Sequence, residues 1–543
     1  MRYFLLSVFI SLIIAACNSE NNNHESETSP KPSKTISSRD FSINPSNSYS
    51  DLFLDSNAME NYISQKKIPD SLANHMRSFY NSRNYQYAWF NSNGLTEEAR
   101  GFWNLHDYVT TYNKDSLLKD KSLQRQMDKL AAEDSLIVTE SDRKILNNEL
   151  TLTLHFIKYV SNYYETGAVK RKEMERFIPQ KKEDPQRLAD SIVNKKHKDE
   201  KYFEDVNSAY KALKLQLAKY DAIAKAGGWP KIPHLAKKLK KGINNRAISI
   251  IKNRLKATGD FTGNDSTHVF NDTLVMAVKN FQRRHGYHET GIIDDSLVKE
   301  MNVPVVKRME QILMNMDRMR WMITPSENNL IVVNIPEFVL HLYAGNEKVF
   351  DMDVIVGKEG HNTMMFNGKL NQVIFSPYWN VPSSIVEKEI LPEMEKDKNY
   401  LDKQDMEVIG KDEDGLPVIR QKPGDKNALG KIKFLFPNSF NIYFHDTPEK
   451  TLFGKARRAY SHGCIRLKEP EKMAMYVLRD QPEWTQEKIE EAMNSGSEKS
   501  VRVKDPIPVV ITYYTAWVDN NGQLNFREDL YGHDSDLASR MFL

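Results

Sequence analysis

A cysteine and a histidine near the C-terminal end of the chain could together perform acyl transfer. Cys464 lies in the run Tyr-Ser-His-Gly-Cys-Ile-Arg at residues 460–466, and His445 lies 19 positions earlier, where a run that reads as a strand ends. A cysteine nucleophile needs an imidazole that manages its proton and hydrogen-bond donors directed at the developing oxyanion. Gly463 permits a tight turn, so main-chain amides of residues 462–464 could supply those donors. The pattern predicts Cys464 as the nucleophile and His445 as its base.

The other cysteine, Cys17, closes an apolar leader. Arg2 precedes fourteen apolar or small residues, a pattern typical of a secretory signal peptide and too short to span a bilayer comfortably. Residues 14–17 read Ile-Ala-Ala-Cys and resemble the bacterial lipobox, whose cysteine is acylated and becomes the new N-terminus. We therefore expect a signal peptide at residues 1–16 and a lipid anchor on Cys17. The alternative is an ordinary signal peptide with an incidental cysteine.

The segment after the leader is expected to be a flexible tether. Residues 17–50 are rich in Asn, Ser, Glu, Lys and Pro and contain few apolar residues, so they cannot bury enough surface to fold. Asn18 is not the aspartate of an inner-membrane retention signal, which favours attachment to the outer membrane. The protein is thus expected in the bacterial cell envelope, in the periplasm.

Composition indicates a globular body of about three domains, with 40% hydrophobic and 10% aromatic residues. The net charge of +3 is too small to favour nucleic acid, and the sequence carries no zinc-like or nucleic-acid-binding motif. We therefore expect no nucleic-acid partner, no metal and no cofactor. With Cys17 acylated, no disulfide can form within the mature body, so the Cys464 thiol is free to react.

Residues 51–240 read as a mostly helical domain with long charged stretches and little chemistry of its own. Its end overlaps a basic stretch, residues 222–259, which holds ten Lys and Arg residues and no Asp or Glu. Such a stretch could contact anionic lipid head groups or the carboxylates of a cell-wall polymer. It could equally be an exposed basic helix without a partner.

Residues 241–303 read as a small three-helix module. Asn271 can cap a helix that Gly286 ends, and three apolar residues share one face of it: Leu274, Val278 and Phe281. The run Phe-Gln-Arg-Arg-His-Gly and the following Gly-Ile-Ile-Asp turn resemble the three-helix peptidoglycan-binding module. The resemblance implies either binding to peptidoglycan or a bracing contact with a neighbouring domain.

After Trp321 the pattern changes to short β-branched and aromatic runs, so residues 328–518 read as a β-rich domain. Strands are predicted at residues 330–334, 338–343, 349–356, 373–375, 433–436, 441–445 and 508–518. The charged insertion at residues 385–426, predicted to be helical at 385–396, is a candidate lid over the reactive residues. Residues 519–543 form a C-terminal segment.

Residues 442–448 and 458–466 resemble the active-site signature of the YkuD family of L,D-transpeptidases, in its large YcbB-like subgroup. Shorter matching elements lie at residues 79–95, 227–230, 377–382, 390–392, 427–430 and 515–518. The resemblance implies an α+β multidomain fold. Its parts are a helical scaffold domain, a three-helix peptidoglycan-binding module and a β-rich catalytic domain with a helical lid insertion.

The resemblance also implies a role for each matched residue. Cys464 would attack the bond between the third and fourth residues of a peptidoglycan stem peptide, release D-alanine and form a thioester, which an amine of another stem resolves as a 3→3 cross-link. His445 would be the base, oriented by the main-chain carbonyl of Asp446. Arg466 would clamp a stem carboxylate. The other candidates are His462 and Gly463, which would orient the loop or hold the oxyanion, and the pocket walls Trp379, Tyr443, Tyr460 and Ser461.

The chain departs from the family pattern at one element. Family members commonly carry Arg-x-Thr-Pro-x-Phe after the second strand hairpin, whereas residues 360–366 read Gly-His-Asn-Thr-Met-Met-Phe. The groove for the donor stem is therefore expected to differ from the common form.

Other functions stay open on the sequence. An L,D-carboxypeptidase would use the same nucleophile and base with water as acceptor. A non-enzymatic peptidoglycan-binding lipoprotein would leave Cys464 inert, and the intact pair of His445 and Cys464 weighs against it. A papain-like protease is disfavoured, because its nucleophile precedes its histidine in the chain.

Overall fold

The computed structural model describes residues 36–112, 117–132, 136–163, 178–194, 208–321, 329–345 and 347–543. The predicted signal peptide, Cys17 and the first part of the tether lie outside these residues. None of the helices within the described ranges combines the length and apolarity of a membrane span. Residues 37–543 group into one compact unit.

The N-terminal part of this unit is the predicted helical scaffold domain. Its core is built on aromatic side chains: the rings of Trp89, Phe102 and Phe156 lie with centroids 5.3 to 5.4 Å apart. The described elements are α1 (Ser56–Gln65), α2 (Asp70–Asn81), β1 (Phe90–Asn91), β2 (Gly94–Leu95), α3 (Glu97–Tyr112), α4 (Lys121–Ala132), α5 (Arg143–Tyr163), α6 (Pro185–Asn194) and α7 (Ser208–Lys225). The prediction of a mostly helical domain is confirmed.

The predicted tether is shorter than expected. Residues 37–50 pack on the scaffold domain, with Ile43 and Tyr49 buried and the Tyr49 hydroxyl donating to Glu98. The average composition of residues 17–50 does not reveal these two buried side chains, because each of them lies among polar neighbours in the sequence. The prediction of a flexible tether was therefore wrong for residues 37–50.

The small module has the three predicted helices, α8 (Ala247–Ala257), α9 (Asp272–Arg284) and α10 (Asp295–Met301). Asn271 caps α9 by accepting from the Leu274 amide at 3.0 Å, and the predicted apolar face is fully buried. Gly286 follows α9 with φ +74°, a left-handed conformation that favours glycine.

The basic stretch at residues 222–259 is partly internal. Lys252 is buried and its Nζ lies 2.7 Å from an Asp265 carboxylate oxygen, and Arg254 is buried over the Trp229 ring at 3.9 Å. These two cations stabilise the module itself. They are not available to lipid or to a wall polymer, which limits the predicted basic surface to the remaining side chains.

A helix that the sequence analysis did not single out, α11 (Val305–Arg320), connects the module to the β-rich domain. It is buried along almost its whole length. Near its C-terminal end, Arg318 pairs with Glu97 of α3 and, at 2.5 Å, with Asp534. The helix thereby joins the scaffold domain to the C-terminal segment.

The β-rich domain contains most of the strands. In chain order they are β3 (Asn329–Asn334), β4 (Val339–Ala344), β5 (Glu347–Gly357), β6 (Phe366–Phe375), β7 (Trp379–Asn380), β8 (Met406–Lys411), β9 (Pro417–Gln421), β10 (Ile432–Leu435), β11 (Phe444–His445), β12 (Ala459–Ser461), β13 (Ile465–Leu467), β14 (Lys499–Thr512), β15 (Ala516–Val518) and β16 (Leu524–Phe526). Nine of them form one sheet in the order β12-β5-β13-β11-β10-β6-β14-β3-β4, and β4 also pairs with β5, so the sheet closes on itself.

Two predicted strands differ from those observed. Residues 508–518 are not one strand: β14 ends at Thr512, and β15 pairs separately with β16. Residues 441–443 precede the short strand β11, and Asn441 has φ +55°, which interrupts an extended run. The C-terminal segment ends in a helix, α17 (His533–Met541), that packs on α11.

The insertion after β7 is a small subdomain with its own apolar cluster. Its helical part begins with α12 (Ser383–Ile385), a π-helical turn (Val386–Ile390) and α13 (Leu391–Lys396), as predicted, followed by α14 (Tyr400–Lys403). The hairpin of β8 and β9, which pairs with β7, was not predicted. The domain is completed by α15 (Pro470–Val477) and α16 (Gln486–Asn494), which pack against the main sheet.

Candidate active site

The parallel pairing of two short strands brings the predicted nucleophile and base together. Phe444 of β11 lies opposite Ile465 of β13, and both side chains point into the buried core. The Ile465 amide donates to the Tyr443 carbonyl at 3.1 Å, which extends the ladder by one residue. Because successive side chains alternate between faces, the opposite face of these strands carries Tyr443, His445, Cys464 and Arg466.

The His445 ring is held in one tautomer. Its side chain is buried, and Nδ1 lies 2.5 Å from the main-chain carbonyl oxygen of Asp446. A carbonyl can only accept, so Nδ1 carries the proton and Nε2 is left as an acceptor. Burial lowers the pKa of His445 to about 3, and the positive charge of Arg466 adds to that shift. The imidazole is therefore neutral at physiological pH, and its Nε2 carries no proton at rest.

The Cys464 thiol is also neutral at rest. Its Sγ lies 3.7 Å from the Asn441 carbonyl, to which the thiol can donate. Desolvation of the sulfur raises the pKa of Cys464, opposed by hydrogen bonds from the Tyr443 main chain and side chain and by nearby cations. Since His445 resists protonation, thiolate and imidazolium do not form a stable resting pair. The proton must move from sulfur to imidazole as the nucleophile attacks.

This charge state predicts how the thiol reacts with pH. We expect alkylation of Cys464 by iodoacetamide to be slow at pH 7 and to rise about tenfold per pH unit into the alkaline range, because only the thiolate reacts. Quantitative peptide mass spectrometry of residue 464 between pH 4 and 10 measures the profile. A rate that is already high and constant from pH 4 to 7 would reveal a preformed ion pair and contradict the neutral assignment.

The loop before the cysteine is fixed by side chains rather than left open to substrate. Ser461 is buried, and its hydroxyl donates to the Cys464 carbonyl while accepting from the Gly463 amide at 3.2 Å. Gly463 has φ +108°, a conformation that L side chains rarely adopt. Ser461 is thus a brace of the turn, and its role as a pocket wall stays a prediction. The Gly463 amide is engaged within the turn, and the role predicted for Gly463, to hold the oxyanion or to orient the loop, also stays a prediction.

The element that departs from the family pattern still supports this loop. The Thr363 hydroxyl donates to the Gly463 carbonyl at 2.7 Å and accepts from the Gly357 amide at 2.9 Å. The Met365 carbonyl two residues later accepts from the Asn104 side chain of α3 at 2.6 Å. The loop at residues 360–366 therefore connects the scaffold domain to the turn that carries the cysteine.

His462 joins the same turn to the insertion. Its Nε2 lies 2.9 Å from an oxygen of Glu389 in the π-helical turn, and its ring packs edge-on against His361 with centroids 4.6 Å apart. The insertion thus contacts the reactive loop directly, and its role as a lid stays a prediction. The contact also suits the expected loop-orienting role of His462.

The contact between lid and loop predicts a modest kinetic effect. Glu389→Gln removes the charge but keeps the shape, and a partly exposed pair of this kind is worth about 0.2–1 kcal/mol, or roughly a one-and-a-half- to fivefold change. We expect that change to appear as a raised KM for a stem-peptide substrate in steady-state assays. Glu387→Gln, on an exposed neighbour in the same turn, is the matched control. Equal effects of both substitutions would contradict a specific Glu389–His462 contact.

The remaining predicted site residues are spread over the site and the lid. Arg466 pairs with Glu449, and its Nε is buried without a hydrogen-bond partner among the described residues. Tyr460 is exposed beside the turn. Trp379 lies in the small sheet of the insertion and packs on the apolar cluster of the insertion.

The described residues hold no group of three or more His, Cys, Asp or Glu side chains that could bind a metal.

Sequence reasoning missed Lys433. It lies on β10 directly opposite His445, with Nζ 4.3 Å from the centre of the Tyr443 ring. The signal was available in the alternation of β10, whose Ile432 and Phe434 are buried and whose lysine must face the other way. The pairing partner of β10 was not available from the sequence, so the lysine could not be assigned to the site.

Comparison with known proteins identifies three domain families in the chain. Family models match at residues 328–510 (L,D-transpeptidase catalytic domain, YkuD), 74–217 (scaffold domain) and 244–301 ("Putative peptidoglycan binding domain"). A curated Haemophilus influenzae protein named "Putative L,D-transpeptidase" is 31% identical over 256 residues, which are 44% of this chain and 50% of the relative. The match thus spans half the length of that relative.

Solved L,D-transpeptidase structures are more distant. One from Stackebrandtia nassauensis is 13% identical and covers 52% of this chain and 96% of its own, with a TM-score of 0.22. One from Mycobacterium smegmatis is 15% identical and covers 34% of this chain and 58% of its own, with a TM-score of 0.20. Because these TM-scores are low, the assignment depends on the family models, the curated relative and the site. The chain thus carries a YkuD-type L,D-transpeptidase catalytic domain, with scaffold and peptidoglycan-binding domains ahead of it.

Proposed function

We propose that the protein is a peptidoglycan L,D-transpeptidase with Cys464 as nucleophile and His445 as general base. The observation that carries the proposal is the tautomer of His445: Nδ1–H is committed to the Asp446 carbonyl, and Nε2 is left as acceptor on the face that holds Cys464. A nucleophilic thiol needs such a base, oriented by a third group. The YkuD catalytic domain supports the same reaction class.

In the first half-reaction, the Cys464 sulfur attacks the carbonyl carbon between the third and fourth residues of a donor stem. The thiol proton moves to Nε2 of His445, and the carbonyl oxygen takes up negative charge in a tetrahedral intermediate. Collapse of the intermediate breaks the peptide bond, and the proton on Nε2 passes to the leaving amine of D-alanine. A thioester remains on Cys464, and the base is neutral again.

The second half-reaction reverses these roles. An amine of another stem attacks the thioester carbonyl and gives its proton to Nε2 of His445. The carbon–sulfur bond breaks, the proton returns to the sulfur, and the two stems are joined by a 3→3 cross-link. Water in place of the amine would give a carboxypeptidase.

Arg466 and Tyr443 are proposed to bind the donor stem beside the nucleophile. A stem carboxylate would take the place of Glu449 on the Arg466 guanidinium, and the side chain of Tyr443 reaches the sulfur. The peptidoglycan-binding domain supports the cell envelope as the working place. We further propose that Cys17 is lipidated and anchors the protein to the outer membrane, which incorporation of a labelled fatty acid into wild type but not Cys17→Ser would test.

The test of the activity uses a disaccharide tetrapeptide. We expect the wild-type protein to release D-alanine and to form a cross-linked dimer, both detectable by mass spectrometry. Cys464→Ala should do neither. Release of D-alanine without dimer would identify a carboxypeptidase, and absence of both products in the wild type would leave a peptidoglycan-binding lipoprotein.

A further inference from the structure

Lys433 occupies an unusual position for a lysine in the described part of the chain. It is half-buried on the face of β10 that lies next to His445, and its Nζ sits over the Tyr443 ring rather than beside a carboxylate. Among the described residues, it forms no ion pair within 4.0 Å. Lysines taken out of water are normally paired. An ammonium held on an aromatic face without a counter-ion is available to a negative charge that appears later.

That negative charge arises on the Cys464 sulfur, which is next to Tyr443 in the site. The Tyr443 side chain that lies under Lys433 also hydrogen-bonds to the Cys464 sulfur. Burial lowers the pKa of Lys433, while the nearby sulfur and Glu498 act in the opposite direction. In a partly dehydrated site such charges interact several times more strongly than in water. The lysine and the sulfur are therefore electrostatically coupled through a shared neighbour.

We propose that Lys433 is a positioning residue whose ammonium, held over the Tyr443 ring, stabilises negative charge on the Cys464 sulfur while the thiol proton resides on Nε2 of His445. The same charge favours the sulfur as leaving group when the thioester is cleaved. The proton count is unchanged, because Lys433 neither gives nor takes a proton. The catalytic role of Lys433 rests on the proposed acyl-transfer function, whereas the effect of Lys433 on ionisation of the thiol does not.

The groups that face Lys433 define what a pH experiment reports. His445 of β11 and Tyr443, which directly precedes β11, face it. Arg466 of β13 and Cys464, which directly precedes β13, lie beyond them, and Glu498 precedes β14. His445 has its pKa lowered to about 3 and Tyr443 has its pKa raised, so neither titrates between pH 6 and 10. Within that window the alkylation profile reports mainly on the Cys464 thiol.

The test compares three variants of the full-length protein. Lys433→Met keeps the length of the side chain and removes the charge, Lys433→Arg keeps the charge, and Lys431→Met changes a neighbouring lysine that binds Asn494 at 2.7 Å. We expect the midpoint of iodoacetamide alkylation at Cys464 to rise by about one pH unit in Lys433→Met, which slows alkylation about tenfold at pH 7. The alkylation rate of Lys433→Arg should stay within about twofold of the wild-type rate. The alkylation rate of Lys431→Met should equal the wild-type rate. With a tetrapeptide donor, kcat should fall and KM should change little in Lys433→Met.

Two results would overturn the assignment. An unchanged alkylation profile in Lys433→Met would show that the lysine does not act on the sulfur. A raised KM with an unchanged profile would make Lys433 a substrate-binding residue instead. Alkylation needs no peptidoglycan, so a shifted profile in a protein that makes no cross-link would refute the proposed function and leave the role of Lys433 at the thiol standing.

Discussion

Replacement of His445 by glutamine should lower the rate of D-alanine release from a tetrapeptide stem about a thousandfold, within the range of general acid–base catalysis. Glutamine preserves the approximate size of the side chain and an N–H that can donate to the Asp446 carbonyl, but it offers no basic nitrogen. Because the Cys464 thiol is neutral at rest, loss of its proton acceptor removes the route to the thiolate. Single-turnover formation of the thioester, followed by intact-protein mass spectrometry, measures the effect directly.

A matched control is available on the same sheet. His341→Gln makes the same chemical change at a half-buried imidazole of β4 that pairs with Glu337 and Asp351. We expect this variant to form the thioester at close to the wild-type rate. If His445→Gln retained more than a tenth of the wild-type rate, the imidazole would not be the base, and the role assigned from its tautomer would be wrong.

Replacement of Arg318 by methionine should destabilise the protein by about 3–5 kcal/mol, the usual cost of removing one member of a buried charge network. Arg318 is buried between Glu97 and Asp534, and burial raises the pKa of Asp534 against the stabilising pull of the arginine. Without the guanidinium, the Asp534 carboxylate stays buried without its counter-ion, and the half-buried Glu97 carboxylate loses its ion-pair partner. The first unfolding transition in urea, followed by tryptophan fluorescence, gives the loss of free energy.

The sign of the pH dependence separates this cause from a packing defect. In Arg318→Met the Asp534 carboxylate, whose pKa is already raised by burial, can escape its penalty by taking up a proton, so the loss of stability relative to wild type should be smaller at pH 5 than at pH 8. Arg77→Met, which removes the partly exposed ion pair with Glu60 in the scaffold domain, should cost about 1 kcal/mol or less. A loss in Arg318→Met that did not vary with pH would indicate a cavity instead.

The features that could be predicted are those written in short stretches of sequence. The strand end at His445, the glycine before Cys464 and the capped apolar face of the module each need only a few neighbouring residues. The proximity of His445 and Cys464 follows from the register of β11 on β13, which no local pattern states. The family resemblance supplied it in advance.

Other features depended on long-range partners. In the sequence, Lys252 has the pattern of a solvated cation, and only the fold shows that it pairs with Asp265. Lys433 has the pattern of a polar strand position, and only the pairing of β11 with β10 places it beside His445. Tyr49 lies in a polar segment, and its burial requires Glu98 from α3. In each case the residue lies among polar neighbours in the sequence, and the partner that determines its role in the fold comes from another element.

The resting state of Cys464 has a consequence for the lifetime of the molecule. Thiolates attack peroxides and disulfides far faster than thiols do, so a cysteine that keeps its proton until substrate is bound is oxidised slowly between turnovers. In the envelope, where we propose that the protein works, cytosolic reductants would not be at hand to restore an oxidised sulfur. The buried imidazole and the raised pKa of the thiol thus keep Cys464 protonated between turnovers. The resting thiol reacts more slowly, and the nucleophile is protected from oxidation until substrate binds.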